Sequence, residues 1–234
     1  MSRERRRIYL LRHAQVSYFE PDGRPVRPDR VVLTADGERQ ARAAADALST
    51  IHFDRVITSG LPRTLQTARI VAPGIEPESH PELREIEGGR LADIPEDELE
   101  ETFLSAFRDV VPEETRFLGG ETIGALLDRV LPALEAVLAD PEWDIQLAVL
   151  HGAVNRAILS HALTGGRVFL GNLEQAPCCI NVIDVGDDWI VRAVDVVPYD
   201  LACTGTRLRT MEELYAQYAP FRRPAEDQTT STRR

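Results

Sequence analysis

The stretch Ile8-Tyr9-Leu10-Leu11-Arg12-His13-Ala14-Gln15 decides how the rest of the chain is read. Four consecutive apolar residues after Arg5-Arg6-Arg7 predict a buried parallel strand, because the run is too short and too compatible with β-structure for a core helix. Arg12 and His13 then fall at the strand's carboxyl end. In open α/β sheets that is where loops and helix N-termini converge and leave a crevice for ligands. A guanidinium there offers a bidentate fork to phosphate or carboxylate, and a neutral imidazole beside it can attack, accept a proton or bind metal. A second junction of the same kind lies far downstream, Ile145-Gln146-Leu147-Ala148-Val149-Leu150-His151-Gly152, also followed by a helical pattern. Two strands that each end in a histidine point to chemistry on an anion.

Between these junctions the chain alternates strand and helix signals. Ser17 to Arg30 is rich in Pro, Gly and charge and is expected to loop over the first strand's carboxyl end, with Tyr18 and Phe19 lining a pocket or packing. Thr34 is a suitable N-cap for a helix to about Ser49, with Ala41, Ala44, Ala45 and Leu48 at helical spacing. Phe53 to Ser59 predicts a second strand, broken by Gly60 and followed by a helix from Pro62 to about Val71. That helix carries Arg63 in its first turn, where a cation opposes the helix dipole unless it shares an anion with the amides. A short edge strand is expected around Glu76 to Ser79, then an irregular loop containing Glu85 and Glu87. From Ala92 to Leu118 the chain is acidic, with Phe103, Leu104 and Phe107 at helical spacing, which predicts a small helical insertion able to cap a pocket. A long amphipathic helix follows from Ile123, kinked by Pro132 and stopped at Asp140-Pro141. After His151 a helix is expected from about Ala153 to Leu163, with His161 structural. Cys179 to Val185 and Trp189 to Val196, joined by Gly186-Asp187-Asp188, predict an antiparallel hairpin. The fold class is therefore α/β: a mostly parallel central sheet with helices on both faces and a C-terminal hairpin. Residues 1–219 are expected to form one domain with a helical cap at about 92–118, and 220–234 a disordered tail.

Composition narrows the partners. A chain of 234 residues buries a core without staples, and a net charge of −11 argues against nucleic acid or an anionic membrane as the main partner. An anion site must then be a local cationic pocket. No run is long enough to span a bilayer and the basic start has no apolar region after it, so a cytoplasmic protein is expected. Cys178, Cys179 and Cys203 lack metal-ligand spacing and are expected to be buried strand thiols, ahead of redox or zinc roles. No Gly-rich phosphate loop is present. No metal and no cofactor is expected, and a homodimer is compatible with the sequence.

At this point the residues resemble the histidine phosphatase superfamily, the branched group that also contains cofactor-dependent phosphoglycerate mutases. Leu11-Arg12-His13-Ala14 is similar to its opening Arg-His-Gly signature, with Ala14 for the usual glycine. Thr58-Ser59-Gly60-Leu61-Pro62-Arg63-Thr64-Leu65-Gln66-Thr67-Ala68 resembles its Ser-x-Leu-x-Arg-Ala-x-Gln-Thr-Ala block. Leu83-Arg84-Glu85 falls where the family keeps its acid, Gly120-Glu121-Thr122 to Arg129 resembles a family segment, and Val149-Leu150-His151-Gly152 resembles the second-histidine block. The matches run in family order from about Ile8 to Leu163.

The resemblance implies a metal-independent phosphatase acting on phosphomonoesters of small metabolites through a phosphohistidine on His13. Neutral His13 would attack phosphorus in line, and Arg12, Arg63 and, if protonated, His151 would hold the equatorial oxygens. The helix N-terminus at Gly152-Ala153 would add amide donors, and Gln15 and Ser17 would line the substrate site. Glu85 would enter protonated and protonate the leaving alkoxide, help typically worth roughly 10²–10⁴ in rate. Glu87 is the rival acid. Ile86, Glu87 and Gly88 stand where the mutases carry a basic residue and an aromatic before the glycine, and the asparagine usual after the first signature is absent. Both departures disfavour mutase activity. The alternatives are a phosphoglycerate-mutase-like phosphotransferase and a catalytically silent member that binds a phosphorylated ligand or a protein.

Overall fold

The computed structural model describes residues 5–20, 24 and 26–221, and the expected tail beyond Phe221 lies outside them. The first strand, β1 (Arg6–Arg12), is central in a six-stranded sheet. The others are β2 (Arg55–Thr58), β3 (Glu78–Ser79), β4 (Ile145–Leu150), β5 (Ile180–Val185) and β6 (Trp189–Val196), in the order β3-β2-β4-β1-β5-β6. Strands β1 to β4 pair parallel, and β5 and β6 join antiparallel. The sheet is thus mostly parallel with a C-terminal hairpin, as the alternation of strand and helix signals predicts.

The apolar run is continuous because both faces of β1 are buried. Ile8 and Leu10 pack with Leu126, Val130 and Val154 from α4 (Ile123–Ala139) and α5 (Gly152–Thr164). Tyr9 and Leu11 face the other way, onto Ala41 and Ala44 of α1 (Ala35–Ala47) and Ala68 of α2 (Pro62–Val71). Alternation along β4 is the same, with Ala148 and Leu150 on the α4–α5 side and Leu147 and Val149 on the α1–α2 side. Side chains that continue this alternation past the strand ends therefore point to predictable layers.

Local chemistry sets the helix starts. Thr34 accepts from Gly37 N at 3.0 Å to cap α1, Thr122 accepts from Ala125 N at 3.1 Å to cap α4, and Pro62 sits at the start of α2. Helix α4 runs through Pro132 to Ala139 and ends at Asp140. The acidic insertion contributes one short helix, α3 (Glu96–Ser105), with buried Leu99 and Phe103. A further helix, α6 (Thr210–Tyr218), carries no signal in the sequence reading, because its N-cap is Arg209 with a reciprocal bond to Glu212 in place of a short polar residue. It packs on α3, with the Phe103 ring 5.6 Å from Tyr215 and 5.9 Å from Tyr218. Cys178 and Cys179 are buried just ahead of β5, whereas Cys203 is exposed in a turn, which corrects its expected burial. His161 is structural, edge-on to Trp189 at 5.4 Å. Among the described residues no helix is long and apolar enough to cross a membrane.

Candidate active site

The pairing of β1 with β4 is in register from Arg7↔Ile145 to Arg12↔Leu150, so the two strand ends lie side by side. His13 N donates to Leu150 O at 2.9 Å and extends the ladder by one rung. His13 and His151 consequently stand as neighbours, ring centroids 5.2 Å apart and edge-to-face, both buried. Alternation turns both toward the α2 side, and the first turn of α2 brings Arg63 to meet them. Arg63 Nε donates to His13 Nε2 at 3.3 Å, and its Nη1 is held by Pro28 O at 2.6 Å.

His13 Nδ1 lies 2.8 Å from Ala14 O. A carbonyl only accepts, so the proton sits on Nδ1 and the Nε2 lone pair is bare toward the cluster. Burial, reinforced by the Arg63 and Arg12 guanidinium groups, holds His13 well below the ordinary histidine range. His151 is held low in the same way by burial, then by His13, Arg63, Arg12 and Arg129. Both rings therefore stand neutral at pH 7, and His151 offers no charge at rest.

Arg12 points to the opposite layer from His13. Its Nη1 donates to Gln175 O at 2.6 Å and contacts Thr210 Oγ1 at 3.3 Å. Its Nε is buried without a partner, as is His151 Nδ1; in the described residues the only other such side-chain atom is Gln146 Oε1. An unpartnered buried polar atom costs about 1–3 kcal/mol unless a ligand satisfies it. Two of the three lie in this cluster.

Glu85 is half-buried, whereas Glu87 is exposed. Glu85 Oε1 accepts from Ile86 N and Ala153 N, each at 3.1 Å. A methyl group built on Gly152 would lie 3.7 Å from Glu85 Oε2, 3.6 Å from Arg12 Nε and 3.2 Å from Arg156 Nη1, so these groups border one small space. The expectation that Ala153 offers its amide to phosphate is corrected here: the N-terminus of α5 attracts the nearer anion, and that anion is Glu85.

The structure thus brings together Arg12, His13, Arg63, Glu85 and His151. Gln15 and Ser17, which follow His13 in the chain, line a groove of about 840 Å³ together with Phe19 and Arg30, and none of the five clustered residues lines it. Ser17 Oγ is used locally, donating to Phe19 O at 2.6 Å. Gln15 faces Thr34, Oε1 to Oγ1 at 3.3 Å.

Four further residues support the cluster and carried no sequence-level role. Ser59 Oγ lies 2.7 Å from His151 Nε2. Thr210 meets Arg12 as described. Arg129 donates to Glu82 O, Arg84 O and Glu85 O at 2.7, 2.6 and 3.2 Å and pairs with Glu121 at 2.8 Å, so one guanidinium clamps the backbone that carries the acid. Arg156, buried on α5, donates to Gly152 O at 3.2 Å and lies 3.3 Å from Glu174. Ser59 and Arg129 had a visible signal, since each lies in a segment that resembles a family block. Among the described residues no group of three or more His, Cys, Asp or Glu is arranged to hold a metal ion.

With this geometry in hand, residues 8–194 match the model of the histidine phosphatase superfamily, branch 1. The chain belongs to that superfamily. Branch-1 relatives include a protein of Serratia proteamaculans named "Probable phosphoglycerate mutase GpmB", 33% identical over 205 residues, 82% of this chain and 94% of that one. An Arabidopsis thaliana protein named "Probable 2-carboxy-D-arabinitol-1-phosphatase" is 31% identical over 76% of this chain, which spans 38% of that longer protein. Among solved structures of the same fold, mycobacterial glucosyl-3-phosphoglycerate phosphatase with inorganic phosphate superposes with a TM-score of 0.65 at 21% identity, over 82% of this chain and 98% of that one. The alpha-ribazole phosphatase of Shigella flexneri superposes with a TM-score of 0.62 at 22% identity, over 81% and 96%. This histidine phosphatase superfamily member therefore shares its fold with these solved structures over about four-fifths of its length.

Proposed function

We propose that the protein is a metal-independent phosphatase that hydrolyses phosphomonoesters of small metabolites by way of a phosphohistidine on His13. The observation that carries this reading is the unprotonated Nε2 of a neutral, buried His13, which accepts only a long bond from Arg63 and lies in the field of the Arg63 and Arg12 guanidinium groups. A neutral imidazole is the nucleophilic form, and Arg12 and Arg63 supply the positive charge that the phosphoryl oxygens need.

His13 Nε2 bonds to phosphorus as the ester P–O bond breaks, and the departing alkoxide takes a proton from Glu85. With Oε1 already accepting two N–H groups, the proton of the acid form belongs on Oε2, the oxygen that faces Arg12 across the Gly152 space. Water then attacks the phosphohistidine, Glu85 accepts its proton, the N–P bond breaks and orthophosphate leaves. The Arg63 bond to His13 Nε2 is long for such a contact, and an incoming phosphoryl oxygen gives that N–H a charged acceptor in its place.

A panel of phosphoesters assayed with wild type and His13→Ala tests the reading. Phosphate release by wild type, its loss in His13→Ala and radiolabel on histidine after rapid quenching of turnover with labelled ester are expected; release that survives the substitution sinks the proposal. The names of the mutase-like relatives favour a second reading, a phosphotransferase. Isomerised phosphoglycerate formed only with bisphosphoglycerate would establish it. The exposed Glu87 and the apolar Ile86 after the acid, where the mutases carry substrate-holding groups, support hydrolysis instead. A cytoplasmic location and a homodimer belong to the same proposal.

A further inference from the structure

His151 is the one buried ring of the site whose proton position the preceding steps leave open, and a chain of hydroxyls fixes it. Ser59 Oγ lies 2.7 Å from His151 Nε2 and 3.1 Å from Thr64 Oγ1, and Thr64 Oγ1 donates to Leu61 O at 2.8 Å. Leu61 N also donates to Ser59 Oγ, at 3.4 Å. His151, Ser59 and Thr64 are each fully buried, so no solvent completes the chain. Thr64 stands where the superfamily block quoted above has alanine, so the outer hydroxyl is a departure from that block.

Counting protons settles the direction. Three contacts run from His151 to Leu61 O, at 2.7, 3.1 and 2.8 Å; Leu61 O also accepts from Thr64 N and Leu65 N at 3.0 and 3.1 Å, but heteroatoms this close repel unless one proton lies between each pair. If His151 carries hydrogen on Nε2, it donates to Ser59, Ser59 donates to Thr64 and Thr64 donates to the carbonyl, so every contact is a hydrogen bond. If Nε2 is bare, Ser59 and Thr64 bring two protons to three contacts, and one pair of heteroatoms faces with nothing between. Burial makes that second arrangement costly.

We propose that Thr64, acting through Ser59, places the proton of neutral His151 on Nε2 and leaves Nδ1 a bare acceptor, so that a phosphoryl dianion enters the site together with a proton at Nδ1. His13 and His151 then rest in opposite tautomers, Nδ1–H and Nε2–H, 5.2 Å apart. The unpartnered Nδ1 is explained: no phosphoryl oxygen can be bound there until the ring is protonated. The proton comes from solvent or from the monoanion of the ligand. The charged and titratable groups around the ring are Arg12 from β1, His13 just after it, Arg63 from α2, Arg129 from α4, Arg156 from α5 and Glu85 from the loop after β3. Among them the cations keep Nδ1 bare at rest, and an arriving dianion reverses that balance. Thr64 and Ser59 are positioning residues, since they act through His151.

The mechanistic value of the second histidine rests on the phosphatase reading, but its tautomer does not, and the test separates them. Two-bond proton–nitrogen correlation spectra of ligand-free protein labelled at its five histidines read each tautomer directly. Wild type is expected to show His151 as Nε2–H and His13 as Nδ1–H. Thr64→Val, which keeps the shape and removes the hydroxyl, leaves Ser59 with only His151 to donate to and is expected to move the proton to Nδ1; Thr64→Ser is expected to restore the wild-type pattern. Sulfate, a dianion at all working pH values, serves as the binding probe. Its affinity for wild type is expected to weaken by up to tenfold per pH unit above neutrality, with a clearly shallower slope in Thr64→Val. Wild-type His151 found as Nδ1–H, a tautomer unmoved by Thr64→Val, or equal sulfate slopes in the two proteins each overturn the proposal. None of these readouts requires turnover, so an inactive protein with the expected tautomers would sink the phosphatase reading alone.

Discussion

Two carboxylates, Glu85 and Glu87, lie in the loop after Leu83, and only their surroundings tell them apart. Glu85 is tied by one oxygen to two backbone amides, while Glu87 is exposed and held through its backbone to Glu121. If Glu85 protonates the leaving group, Glu85→Gln should slow release of alkyl alcohols by about 10²–10⁴ and spare p-nitrophenyl phosphate, whose leaving group needs little help. Equal losses on both would remove Glu85 from that role. The two buried histidines make a separate prediction about acid. Their folded pKa values lie below the unfolded value near 6.5. A group of that kind contributes its full stability above the unfolded pKa and loses it as pH falls from there through the folded value. Each can remove up to about 1.4 kcal/mol per pH unit in that window. Urea midpoints should therefore drop between pH 7 and 5, before the carboxylates titrate, and His151→Gln should show a shallower drop than wild type. A flat profile would mean that the rings are solvated or already charged. The residue types at the strand ends were legible because their chemistry is local to the sequence. The roles of Ser59 and Thr210 were not, since each hydroxyl meets its partner, His151 or Arg12, about 100 to 200 residues away in the chain, and Thr64 matters only through Ser59.

At the scale of single elements, the clamp around Arg129 is the most consequential arrangement. Helix α4 presents one guanidinium to three carbonyls of the loop that carries Glu85, and Glu121 holds the other side of the fork. Gly120 lets this happen, because a side chain there would start 2.2 Å from Glu87 O. Arg129→Leu is expected to lower kcat by about tenfold or more, because displacement of a general acid by as little as 1 Å can cost about 10² in rate. Stability should fall by about 1–3 kcal/mol for the carbonyls and the carboxylate left unpaired. Arg129→Lys should not restore kcat, since a point charge cannot reproduce a planar fork. An unchanged kcat in Arg129→Leu would show that the loop holds its shape unaided. The periodicity of α4 was plain in the sequence. The three carbonyls that Arg129 reaches were not, because backbone atoms leave no trace in residue type.

For the molecule as a whole, the sheet and its two layers were legible from apolar runs and helix caps, whereas the roof was not. Helix α6 closes back over the first strand's end through Thr210 and onto α3 through Tyr215 and Tyr218, and its Met211 enters the core. A chain ending at Gly205 is expected to lose about 2–4 kcal/mol, combining burial of Met211 with the aromatic contacts to Phe103. For a protein of this size that lowers Tm by about 4–16 °C, measurable by circular dichroism. KM should rise with it as Arg12 loses a hydroxyl partner. A melting curve unchanged by truncation would show that α6 rests on the surface without contributing.

The in-register pairing of β1 with β4 has a further bearing, on time. Backbone amides at the centre of a buried sheet exchange with solvent only through the rarest openings of a protein, whereas amides in surface loops exchange readily. The two imidazoles hang from the former, and the residues that bound the 840 Å³ groove belong mainly to the latter. The two imidazoles and the groove thus live on different clocks: loops around the groove can open many times while His13 and His151 keep their places at the ends of paired strands.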